Sequence, residues 1–166
     1  MANRPVGPEP TTETVLLGAL LGAPADEIRR VVPLVLDDLD EPGSRAVAEV
    51  VLTLAQAGRP HDGHAVGDEL QRRGRYAGET GQLIKRRLLD AITTGYASND
   101  LAAATYAAAV CANAFRQRFE LVGKALLEAA STFPEEDLLT LLRQAGTDCV
   151  RHAKRLATLR GEEVPA

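Results

Sequence analysis

Between Gly58 and Arg75 the sequence reads GRPHDGHAVGDELQRRGR, which gathers His61, Asp62, His64, Asp68 and Glu69 into nine residues. Imidazoles and carboxylates are the side chains of metal centres and of general acid and base catalysis. On a helix, His64 and Asp68 stand four apart on one face, a spacing that suits two ligands of one divalent ion, with His61 and Asp62 as further donors. The same residues also have a plainer role. Asp62 precedes a helical pattern, where its carboxylate accepts from free amides and faces the positive end of the helix dipole. Asp68 and Glu69 are expected on the solvent side, paired with Arg72 and Arg73 at helical spacing. The expectation is therefore a capped helix with a solvated face, and no metal, cofactor or catalytic residue. His61 and His64 are then candidates for a partner surface.

Other reactive side chains lack company in sequence. Cys111 and Cys149 are far apart and outside any Cys-x-x-Cys pattern, so they read as packing thiols in a reducing compartment. Ser98 and Ser131 have no neighbouring base, and a triad cannot be built around them. His152 falls on an apolar helix face, where it reads as a buried hydrogen-bonded group, a specificity device or a pH-sensitive contact between subunits. Arg72, Arg73, Arg75, Lys85, Arg86 and Arg87 form a candidate partner-binding patch, though Asp68, Glu69, Glu79 and Asp90 are interspersed among them. Arg151, Lys154, Arg155 and Arg160 form a second basic group. A net charge of −4 gives no general attraction to nucleic acid or anionic lipid, so direct DNA binding is expected to be weak at most.

The elements that position these residues follow from composition and period. The chain has 166 residues, 45% of them apolar and only 4% aromatic, which points to an all-α core of Leu, Val, Ala and Ile. No segment alternates like a strand, no apolar run is long enough to span a membrane, and the N-terminus MANRPVGPEPTTE lacks the apolar core of a signal peptide. A cytoplasmic protein is expected.

Residues 1–10, rich in proline, read as a flexible leader, and residues 11–96 as a globular helical subdomain. Its first helix starts at Thr12 and ends at Gly22 and Pro24. The second runs from Ala25 to Val32, stopped by Pro33. Ser44 is placed to cap a third, whose Val47, Val50, Val51 and Leu54 form one stripe. The fourth follows Asp62, buries Val66 and Leu70 and stops at Gly74. The fifth, Gln82 to Thr93, turns Ile84, Leu88 and Ile92 inward.

Residues 97–160 are expected to form a long antiparallel helical hairpin, followed by a flexible tail at 161–166. Leu101, Ala104, Ala108, Cys111, Phe115, Phe119, Val122, Leu126 and Ala129 recur at three and four residues, a seam on the order of 45 Å long. Pro134 stands at the start of the return helix, where Leu138, Leu142, Ala145, Cys149, His152, Leu156 and Leu159 repeat the spacing. Folding near residue 133 sets Cys111 opposite residue 155 and keeps the two thiols too far apart for a disulfide. Phe115, Phe119, Val122, Leu126, Leu138, Leu142, His152 and Leu156 are the candidate oligomer interface, because such seams commonly bury their surplus against another copy.

Several segments, in order, resemble the N-terminal domain of replicative DnaB-type helicases. ETVLLGALL at 13–21 is similar to that family's opening Glu-x-x-Val-Leu-Gly-x-Leu-Leu helix. In EPGSRAVAEVVLTLAQAGRPHDGHAVGDELQRRGR, residues Pro42, Arg45, Gly58, Pro60, Asp62, Val66, Leu70 and Gly74 match the family pattern position by position. TYAAAVCANAFRQRFELVGKALLEAA at 105–130 resembles its Tyr-Ala-x-x-Val segment. The resemblance covers residues 10–159. Ser44 and His61 depart from it, as does a longer loop at 95–101.

The resemblance implies a module that dimerises or forms larger rings through its hairpin and binds a replicative helicase or primase. It also implies a motor domain with a phosphate loop beyond this segment. The one Gly-Lys pair, Gly123-Lys124, lies inside a helix and is followed by Ala125, so it forms no such loop. ATP hydrolysis is not expected of these residues. Two other readings stand beside this one: a small dimeric DNA-binding regulator using the third to fifth helices, or an excised fragment of a full replicative helicase.

Overall fold

The structure, a computed structural model, describes residues 10–95 and 103–164. Ser98, Leu101, most of the expected leader and the longer loop lie outside the described residues. Within them the chain is all-α. It comprises α1 (Thr12–Gly22), α2 (Ala25–Val35), a 3-10 turn (Leu36–Asp38), α3 (Pro42–Gln56), α4 (Gly63–Arg72), α5 (Gly78–Gly95), α6 (Ala103–Thr132) and α7 (Glu135–Arg160).

Helix ends show how local chemistry sets these bounds. Thr11 accepts from the Thr14 amide and opens α1. Asp62 caps α4 as expected, accepting from the His64 and Ala65 amides at 2.9 and 3.1 Å. Gly74, with φ +66°, closes α4 in the left-handed conformation that glycine adopts without strain.

Two expected ends are corrected. Pro33 does not stop α2, which runs to Val35 and continues as the 3-10 turn. Pro33 is exposed near the end of α2, where one missing amide costs little, and the extra turn buries Val35 and Leu39. Ser44 is not the cap of α3. The helix opens a turn earlier with Pro42 in its first turn, and Ser44 is buried with no hydrogen-bond partner for its hydroxyl.

α1 packs between α5, α6 and α3, while α2 lies against α3 and α6. Leu16, Leu17, Leu20, Ile28, Val47, Leu54, Val66 and Leu70 are all fully buried. The same continuous core takes in Ala107, Cys111, Leu156 and Leu159, so the root of the long helices belongs to the globular body. Only Phe133 and Pro134 separate α6 from α7, and Cys111, early in α6, meets His152, late in α7. The pair is therefore antiparallel. Its register sets Cys111 against His152, about one turn from the expected residue 155.

Candidate functional site

Among the described residues, no three ligand-type side chains converge on the fourth helix. Glu69, expected in solvent, has no exposed side-chain surface. Its carboxylate accepts from Arg72 Nη2 at 2.6 Å, Arg73 Nε at 2.7 Å and Arg59 Nη1 at 3.2 Å, so it is covered by its own partners. The Arg72 and Arg73 hydrogen bonds lead in holding it well below the usual carboxylate range, at about 2. Asp68 and His64 stay exposed. His61 turns inward, and its Nε2 donates to the Ala23 carbonyl at 2.9 Å, fastening the end of α1 to the loop before α4.

This arrangement divides the expected basic patch. Arg72 and Arg73 are committed to Glu69. Arg87 is mostly buried and pairs with Glu41 while donating to Thr14. Arg75, Lys85 and Arg86 remain exposed.

A second cluster joins elements far apart in sequence. Asp38 from the 3-10 turn, Cys111 from α6 and His152 from α7 bring ligand-type atoms within 4.8 Å of one another, all buried. The separations resemble those around a tetrahedral ion, but the proton positions oppose one. Arg155 Nη2 donates to His152 Nδ1 at 3.1 Å, which leaves the proton on Nε2, where it is donated to the Cys111 carbonyl at 2.9 Å. A metal-bound imidazole needs the reverse, a bare Nε2 and an acceptor at Nδ1. Burial first, then the Asp38 carboxylate beside it, pushes the Cys111 thiol up to about 12, far from a thiolate.

The cluster is a polar clasp. Arg155 also donates to the Leu34 carbonyl at 2.9 Å and to Asp38 Oδ1 at 3.0 Å, and Phe115 stacks on the His152 ring with centroids 5.0 Å apart. Together these contacts fix the root of α7 against the end of α2.

Beyond the root, the long helices turn apolar side chains to solvent. His152 and Leu156 are buried within the chain, which removes them from any partner-facing surface. Phe115, Val122, Leu126 and Leu138 are half-buried, with Leu141 rather than Leu142 on the inner side of α7. Phe119 and Leu142 are 62% and 54% exposed, and Leu121, Leu127, Leu139 and Val150 join them outside. Phe119, Gly123 and Leu127 fall on one face of α6 at four-residue steps. Leu139, Leu142, Gly146 and Val150 make a second stripe on α7. Apart from the local backbone of its own helix and its chain neighbours, neither glycine has an atom within 4 Å of where a Cβ would stand.

The stripes were only half legible. The seam period is strong, but heptad spacing does not say which of two adjacent leucines faces inward, and Asp38 gave no signal at all. No described helix is long and apolar enough to cross a membrane. No protein-family model matches this chain, nor does any curated protein or solved structure.

Proposed function

We propose that this chain is a non-catalytic module that assembles with itself through α6 and α7 and engages the DNA-replication machinery, through a replicative helicase or primase. The observation that carries self-assembly is the outer apolar surface on two long helices held at one end by a buried clasp. Large exposed apolar surfaces of this kind mark interaction sites. Each outward glycine costs its helix about 1 kcal/mol relative to alanine, a loss that close approach of another helix would offset.

The α7 stripe is also self-complementary. Glu135 lies one turn before Leu139, and Lys154 one turn after Val150. Two α7 helices related by a twofold axis near residue 144 set Leu139 against the partner's Val150, and Glu135 near the partner's Lys154. The replication partner rests on the ordered likeness of residues 13–21, 41–75 and 105–130 to the helicase domain. DNA reading by α3 to α5 has less support, because three of the six basic residues there are engaged within the chain.

The test of the partner is co-purification of the immobilised chain with replicative helicase and with primase from the same organism. Saturable binding of either supports the reading. Binding of neither, together with a salt-sensitive complex with duplex DNA, replaces it with the regulator reading.

A further inference from the structure

At its root α7 leaves a groove of about 400 Å³ against the end of α2. Leu34 and Val150 line it, with Arg151, Lys154 and Arg155 along the α7 side. Arg155 is held inward by the clasp, and Arg151 pairs with Asp148. Lys154 is exposed and, among the described residues, has no ion-pair partner. The groove therefore offers apolar surface, lengthened by the aliphatic stem of Lys154, beside a positive charge that the chain does not neutralise.

The opposite end of α7 carries the complement. Phe133, in the turn between α6 and α7, is 49% exposed. Glu135, Glu136 and Asp137 follow it, all exposed and none with an ion-pair partner among the described residues. The helix dipole accounts for carboxylates at a helix start, but not for the exposed ring beside them or for the unpaired lysine at the far end.

These two ends cannot meet within one chain. Residues 135 and 154 stand on one continuous helix, about 28 Å apart at the helical rise. A second, antiparallel α7 brings them together twice. The register that sets Leu139 against the partner's Val150 also sets Glu135 beside the partner's Lys154. It places Phe133 at the level of residue 156, next to the point where Arg155 holds Leu34 against α7.

We propose that the groove between α2 and α7 is the docking site for the hairpin tip of a second copy, Phe133 to Asp137. The Phe133 ring packs on Leu34 while Glu135 pairs with Lys154, and twofold symmetry repeats the contact at the other end. Such docking presupposes self-assembly through α7. It adds that the pairing is antiparallel, reaches the globular body and is steered by charge.

The experiment is sedimentation equilibrium of the full chain and of charge-reversed variants, with circular dichroism as the check on folding. Wild-type association should weaken as salt rises from about 50 to about 500 mM. Lys154→Glu and Glu135→Lys each set like charges together at both ends of the pair, and each alone should weaken association by about ten-fold. Mixed one to one, the two variants restore both ion pairs, so they should associate with each other within about three-fold of wild type. Phe133→Ala should weaken association by about five-fold, and serves should Glu135→Lys disturb the start of α7. A wild type that associates while Lys154→Glu and Phe133→Ala leave its affinity unchanged overturns the docking and leaves self-assembly standing, as does a mixture of folded variants no tighter than its components. A wild type that stays monomeric overturns both.

Discussion

His152 Nε2 donates to the main-chain carbonyl of Cys111 at 2.9 Å, linking α7 to α6 where both enter the core. Arg155 sets the direction of that bond by occupying Nδ1. His152→Leu leaves the Arg155 donor without this acceptor and deletes the link, at a cost of about 1–3 kcal/mol in a urea melt.

The same residue should make stability pH-dependent. Burial, partly offset by the Cys111 carbonyl and Asp38, holds the His152 imidazole below its ordinary 6.5. The unfolded chain takes up a proton near 6.5 that the folded chain refuses, so this contribution is full above 6.5 and is lost as pH falls below it. His152→Gln keeps a donor without titrating. Its urea midpoint should fall less than that of the wild type between pH 7 and pH 5.

Glu69 acts in a lower window. Its carboxyl titrates at about 2 instead of 4.5, so its contribution is full above 4.5 and lost as pH falls from there toward 2. Glu69→Gln should lower the melting temperature at pH 7 and lose less on acidification to pH 3. It also releases Arg59, Arg72 and Arg73, and heparin retention of the variant should rise if they become available to anions.

Gly18 permits the contact between α1 and α5. A Cβ there would stand 2.9 Å from both the Ala91 carbonyl oxygen and the Gly95 nitrogen, main-chain atoms that cannot rotate away. Gly18→Ala should cost about 1–3 kcal/mol through overpacking. Gly22→Ala, with open space at its Cβ, should stay within about 0.5 kcal/mol of wild type in the same thermal melt.

The helices were legible because caps and apolar stripes are local. Asp62, Val66, Leu70 and Gly74 could be read as cap, face and stop from sequence alone. Glu69 was misplaced because helical spacing put it beside Arg72 and Arg73 but could not show Arg59 arriving from the preceding loop to enclose it. Asp38 lies far from Cys111 and His152 in sequence, so their meeting is a tertiary fact without a local pattern. Pro33 and Ser44 followed the usual helix signals, and burial of Val35 and an earlier start at Pro42 overrode them.

Self-assembly through the outer stripes is tested most directly by light scattering of the wild-type chain and of a variant carrying Leu139→Glu and Val150→Glu. Both positions are exposed, so the variant should keep its helical signal. The wild type is expected to run as a dimer or larger at concentrations on the order of 10–100 µM, and the variant as a folded monomer. A wild-type chain that stays monomeric across that range contradicts the account.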